Sequence, residues 1–307
     1  MIKLYLITGF LGAGKTSFLK KFIPTLSPMR MHLIINEFGK ESVDAALLET
    51  LEASLDQINN GSIFCACKID AFEESLKIAI DDAPDCIIVE ASGLADPTSI
   101  RSLIESPHYK DHFDYKGAIC LVDAKRFEKV YTTARCVKKQ LAASDLVLLN
   151  KTDTRTEEQL KETEKILKMQ RPDIAVHRTS HGDFEMSWID GLEINQMNVE
   201  ENYKATVPDI SILKFKLQVN SMTTLEQLTY FLNLIAEDTY RIKGFVKLRN
   251  ELMLINCVGK TLSIAPYSEG HESNVGSLYI LSGNGLPIRK SLKLAIQHYE
   301  DLFTLLK

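Results

Sequence analysis

No stretch of this 307-residue chain approaches the roughly 18 consecutive apolar residues that a membrane-spanning helix needs, which excludes a spanning helix as an organising element. A basic surplus is missing too. Against 36 lysines and arginines stand 41 acidic residues, a net charge of −5, so the chain as a whole has no electrostatic footprint for nucleic acid or an anionic membrane. Six cysteines are too few for a disulfide framework at this length. Seven histidines are scattered, with no histidine-rich tract, and His177 and His181 read as surface or packing residues. There is no internal repeat and no low-complexity segment. The opening run Met1-Ile2-Lys3-Leu4-Tyr5-Leu6-Ile7 is cut short by a glycine-rich loop and lacks a cleavage region. It therefore reads as a core strand rather than a signal sequence, and the cytoplasm is the expected compartment.

What remains is an ordinary globular composition, 45% hydrophobic and 25% charged, long enough for about two domains. The first half alternates short apolar runs with amphipathic stretches, the pattern of a parallel sheet covered by helices on both faces. Strands are expected at 3–8, 31–36, 85–90, 117–123 and 145–150. Thr156-Glu157-Glu158-Gln159 is a capping box opening a helix, with Glu→Lys pairs at 157/161 and 164/168. Cys86, Cys120, Cys136 and Cys257 read as small buried hydrophobes. Polar, aperiodic residues 191–209 look like a linker. Beyond it, Leu213, Phe215, Leu217 and Val219 alternate with Lys214, Lys216 and Gln218 as a half-buried strand. A helix is expected at about 223–236, strands near 243–249, 252–258, 261–266 and 277–282, and a last helix over 288–306. The expected fold is α/β: a nucleotide-binding domain with a mainly parallel sheet over 1–190, then a smaller α+β domain over 210–307.

Three segments carry chemistry. Gly9-Phe10-Leu11-Gly12-Ala13-Gly14-Lys15-Thr16 fits G-x-x-x-x-G-K-[ST] in full, with a strand before it and a helical pattern after it. Glycines let backbone N–H groups of Gly12, Ala13 and Gly14 curl around phosphates, and the first helical turn, with Ser17, adds donors. Lys15 would reach the β- and γ-phosphates, and the Thr16 hydroxyl would ligate Mg²⁺. Asn150-Lys151-Thr152-Asp153 closes an apolar run, and a carboxylate there suits the N1–H and 2-amino donors of guanine, a pair adenine lacks. GTP is thus the expected nucleotide, with a small-molecule kinase disfavoured by the same motif. A second Mg²⁺ anchor should sit on a neighbouring strand end. Glu90, before Ala91-Ser92-Gly93, and Asp123 are both placed for it, and Gly93 would face the γ-phosphate.

These motifs, with Asn36-Glu37-Phe38-Gly39 and Glu90-Ala91-Ser92-Gly93-Leu94-Ala95-Asp96-Pro97, resemble the CobW-type GTPases, which are similar to the hydrogenase and urease nickel-insertion GTPases in their nucleotide domain. Arg241-Ile242-Lys243-Gly244-Phe245 resembles the start of that family's C-terminal domain. The resemblance implies a nucleotide-dependent metallochaperone with Glu90 as the Walker-B-like acid, delivering a metal or a cobalamin-type metal cofactor to a client protein. It also implies a metal site around G-C-x-C-C, which here reads Gly61-Ser62-Ile63-Phe64-Cys65-Ala66-Cys67. Only Cys65 falls on a family cysteine, and Cys67 is an additional thiol. A Cys-x-Cys pair can still hold Zn²⁺ or Co²⁺ as two thiolates, with Glu37 or water completing the shell. The competing reading is a regulatory GTPase switch without metal cargo. Loops at about 37–44 and 91–98 are the expected γ-phosphate sensors.

Overall fold

The computed structural model describes residues 1–35, 54–57, 67–194, 212–249, 251–267 and 275–306, with side chains except at 54–57, 67 and 68. The chain divides into two compact units, Met1–Asp209 and Ile210–Lys307.

The first unit is built on strands β1 (Ile2–Gly9), β2 (Met31–Ile35), β3 (Ser54–Gln57), β4 (Cys86–Glu90), β5 (Phe113–Asp123), β6 (Leu146–Asn150) and β7 (Ala175–Arg178). They form one sheet in the order β3-β2-β4-β1-β5-β6-β7, and every pairing in it is parallel. Strands β2, β4 and β6 are buried at every residue, as continuous apolar runs between two helical layers must be. The crossovers include α1 (Lys15–Thr25), α2 (Cys67–Asp81), α3 (Pro97–Ile104), α4 (Phe127–Thr133), α5 (Arg135–Ala142) and α6 (Glu157–Gln170); α7 (Met186–Asp190) follows β7. Helix α1 buries Phe18, Leu19, Phe22 and Ile23, the stripe its 3.6-residue period predicts. Phe18 and Phe22 stack with centroids 5.1 Å apart, and Phe184, just before α7, meets both edge-on.

The second unit is a six-stranded antiparallel sheet, ordered β11 (Thr261–Pro266), β10 (Glu251–Val258), β9 (Arg241–Leu248), β12 (Ser277–Gly283), β8 (Ile212–Val219) and β13 (Phe303–Leu306). Helices α8 (Leu225–Ala236) and α9 (Ile288–Gln297) share one apolar core with it. Leu228, Phe231, Leu232, Ile235, Leu292 and Ala295 meet Leu217, Ile242, Val246, Ile255 and Ile280.

The structure departs from the sequence expectation at several places, among them β5, which starts at Phe113 rather than 117. Strands β3 and β7 were not foreseen, and the polar content of Ser54–Gln57 gives no apolar run to read. The last helix stops at Gln297 instead of running to 306. Phe303 instead pairs with Val219, lies 1% exposed, and stacks on Phe231 at 3.9 Å, so unsatisfied β8 backbone overrides local helical preference. Leu225, which shares the helical spacing of Leu228, Leu232 and Ile235 on α8, is half exposed where those three are buried. Of the two Glu→Lys pairs on α6, 157/161 forms at 3.8 Å, but Glu164 is taken by Arg178 of β7 at 2.6 Å. Lys168 turns to the carbonyls of Pro172 and Ile174. A fixed guanidinium fork across elements outcompetes an exposed i,i+4 pair.

Candidate functional site

The C-terminal ends of β1, β4, β5 and β6 lie side by side, and in register Ile7 pairs with Glu90 while Asp123 pairs with Asn150. From the central β1, successive strands add to opposite sides, which makes this edge the topological switch point where α/β sheets bind ligands. Every predicted nucleotide-site residue that is described lies on it.

The P-loop joins β1 to α1. Gly14 takes φ +107°, and a Cβ there would sit 2.2 Å from Asn150 Nδ2, so only glycine fits. Helix α1 starts with no side-chain cap and no acid in its first turn. Its first N–H groups thus have no intrahelical acceptor and face the loop, the arrangement an anion completes. Lys15 is 7% exposed, and its ammonium donates to Gly9 O at 2.9 Å, held against the loop's own backbone. These features form a backbone-lined cradle, glycine being required at Gly14, whose free N–H groups suit an anion such as a phosphate.

Two carboxylates at strand ends are equal candidates in the sequence, and the structure describes both. Asp123 Oδ2 accepts from Lys151 Nζ at 2.7 Å, and Oδ1 accepts from Lys125 N at 2.9 Å. Glu90 is 1% exposed at the end of β4, beside the P-loop strand. Gly93 follows it, packed so closely on the loop that a Cβ would lie 2.8 Å from Leu11 N.

Asn150 Nδ2 donates to Ala13 O at 2.8 Å, and Oδ1 accepts from Gly182 N at 3.1 Å. Its side chain is thus engaged by the protein backbone, joining the P-loop to the segment after β7. Lys151 adopts φ +63° and donates to Gly12 O at 2.7 Å as well as to Asp123. Asp153 stands exposed beyond it. The segment Thr179–Asp183 escaped the sequence reading. Ser180 Oγ meets Thr152 Oγ1 at 3.1 Å and accepts from Asp153 N at 3.3 Å, and Gly182 lies against the backbone of Ser17 and Phe18. A Ser-His-Gly turn after a strand was its one signal, and the weak period of β7 concealed it.

Glu37 and Cys65 lie outside the described residues, as does the loop at 37–44; Cys67 opens α2, but its side chain is not described. Among the described residues no three His, Cys, Asp or Glu side chains gather as a metal-holding group. Cys86, Cys120, Cys136 and Cys257 are all buried. Burial pushes the thiols of Cys86 and Cys120 up to about 12, which keeps them protonated at neutral pH, as packing residues.

The family model for the CobW/HypB/UreG nucleotide-binding domain matches residues 3–178, more than half of the chain. The chain belongs to the CobW/HypB/UreG family. Among its relatives, the zinc chaperone YjiA of Escherichia coli (strain K12) is 29% identical over 215 residues, covering 67% of this chain and 66% of that protein. The zinc chaperone CobW of a Sinorhizobium species is 31% identical over 176 residues, covering 48% of this chain and 50% of the relative. This CobW/HypB/UreG member therefore spans just under two thirds, or about half, of the curated relatives it matches. Structural comparison aligns 97% of the chain with 98% of the Zn(II)-bound YjiA GTPase from E. coli, at a TM-score of 0.48 and 20% identity. No helix among the described residues is long and apolar enough to cross a membrane.

Proposed function

We propose that this protein binds and hydrolyses GTP and uses the cycle to deliver a metal ion, best Zn²⁺, to a client protein. The observation that carries the nucleotide half is the joining of the base motif to the P-loop. Asn150 bonds Ala13 and Lys151 bonds Gly12, so the phosphate cradle and the base-reading segment are one rigid piece. Asp153, exposed at its rim, is free in position to accept two donors from guanine.

Bound Mg²⁺ would neutralise charge developing on the phosphates. Thr16 and Glu90 are the residues to hold it, Asp123 being engaged by Lys151. P-loop N–H groups and Lys15 orient the triphosphate and stabilise the charge that builds as water attacks the γ-phosphorus. Lys15 must leave Gly9 O to do so, an exchange of one acceptor for a charged one that favours the bound state.

Support for the metal half comes from relatives named as zinc chaperones and from the chemistry of Cys65, Cys67 and Glu37. Two thiolates with a carboxylate or water leave an open, exchangeable site, as delivery requires. The test has two arms. Competition binding should rank GTP at least about tenfold over ATP, roughly 1.4 kcal/mol, and Asp153→Asn should weaken GTP while improving xanthosine triphosphate. Equal ATP and GTP affinity would overturn the guanine assignment. Titrating the reduced protein with Co²⁺ should give a sulfur-to-metal charge-transfer band that Cys65→Ser/Cys67→Ser removes. If the band is absent from the wild type, or survives in the mutant, a regulatory switch without cargo is the correct reading.

A further inference from the structure

The loop between β4 and α3 is gripped from the side by α5, through two consecutive residues. Gln140 is 1% exposed, and its Nε2 donates to Gly93 O at 3.1 Å and to Ala95 O at 3.4 Å. Lys139, on the outer side of the same turn, pairs with Asp96 Oδ2 at 2.5 Å, while Asp96 Oδ1 caps α3 through Thr98 N. Inside the loop, Ala95 N returns to Ser92 O at 2.9 Å. Helix α5 is itself fixed at its far end, where Arg101 Nη1 donates to Ala143 O and to Asp145 Oδ1 at 2.8 and 3.0 Å. Asp145 Oδ2 in turn accepts from Ala118 N of β5.

From this geometry we infer that Gln140 is a positioning residue for triphosphate recognition, setting where Gly93 stands; the inference rests on the GTP reading above. Capturing the carbonyls of residues 93 and 95 with one amide fixes ψ at both. Gly93 has the widest backbone freedom in the loop and lies hard against Leu11 of the P-loop. A free loop would have to be ordered each time a γ-phosphate arrives, and ordering opposes binding. Gln140 does that ordering in advance, from a buried strut that nucleotide never touches. If Gly93 faces the γ-phosphate, as that reading has it, a diphosphate stops short of it and its affinity is independent of the clamp.

Two near-isosteric variants separate this role from packing. Gln140→Met keeps length but has no donor. Gln140→Glu keeps shape but turns a carboxylate, which only accepts, toward two carbonyls. We expect Gln140→Met to lower both the affinity for a non-hydrolysable GTP analogue and kcat for phosphate release by about tenfold, with GDP affinity within about twofold of wild type by calorimetry. Gln140→Glu should fall further in the same two quantities. Lys139→Met, on the exposed face where folding is not at risk, should move them the same way by about two- to threefold. Equal losses of GDP and triphosphate affinity, or no change in either, would overturn the positioning role. Failure of wild-type protein to bind GDP at all would overturn the GTP reading beneath it, which keeps the two failures apart.

Discussion

The two units bury polar groups in opposite ways. Among the described residues, the first unit buries Lys15, His32, Glu90, Arg101, Asp123 and Asp145, whereas the buried polar side chains of the second are the hydroxyl groups of Thr223, Thr239, Ser277 and Ser282. Both sheets are well packed, so the difference is not one of core quality. Burying a charge costs several kcal/mol unless partners are supplied, and a fold that needs only an apolar core avoids it, as the second unit does. The first unit has buried charges at both edges of its parallel sheet: Lys15, Glu90 and Asp123 lie at the C-terminal ends of strands or just beyond, while Asp145 precedes β6 at the other edge and pairs with Arg101. Its buried charges therefore serve the framework of the sheet as well as the candidate site.

The sharpest way to break that comparison is at Arg101 and Asp145, whose side chains are fully buried and paired at 3.0 Å. Asp145→Ala takes one acceptor from a fully buried guanidinium, Glu105 and Ala143 O remaining, and unpairs Ala118 N. It should destabilise the first unit by about 3–5 kcal/mol, measured by denaturant titration. Hydrogen exchange should then rise through residues 67–194 and stay slow in α8 and α9. Equal acceleration in both units would show that their stabilities are not separable.

Next in size is Asn150. Asn150→Ala removes the link between the P-loop and the segment at Gly182, leaving Ala13 O and Gly182 N without it. Nucleotide affinity should fall by about tenfold or more, in line with roughly 1–3 kcal/mol for buried groups left unsatisfied. Asp153→Asn should instead alter base choice with little change in phosphate affinity. Calorimetry with GDP and with inorganic pyrophosphate distinguishes them, since only Asn150→Ala should weaken pyrophosphate.

How much of this was legible in the sequence follows the range of the contacts. The P-loop and the Asn150–Asp153 motif are contiguous strings between a strand and a helix, so they could be read directly. The pairing of Asp123 could not, because it turns on Lys151 reaching it across 28 residues. Ser180 and Gly182 become visible only when β7 pairs with β6 and delivers their turn to α1. Gln140 was invisible for the same reason: its helical position says "buried", and only the fold says that two loop carbonyls lie there. In the second unit the alternation of β8 was readable on its own, while the end of α9 was not. There the deciding partner, Val219, lies 84 residues away from Phe303.

The smallest expected effect concerns the one tryptophan of the chain. The His177 imidazole stacks on the Trp188 indole with centroids 4.4 Å apart and planes 3° from parallel. Burial holds its pKa below the ordinary value of 6.5, with Glu185 opposing the shift. Because the folded state prefers the neutral ring, the stability it contributes is complete above the unfolded value of about 6.5. As pH falls below that value the unfolded chain takes up the proton first, and the contribution is lost down to the folded pKa. Trp188 emission in the native protein should therefore titrate with a midpoint below 6.5, and His177→Phe should flatten the curve while keeping the stack. A midpoint at or above 6.5 would mean that the carboxylate of Glu185, rather than burial, governs this ring. Since Phe184 of the same segment packs on α1, adding GDP should shift the midpoint further down if the nucleotide tightens the turn at Ser180–Asp183.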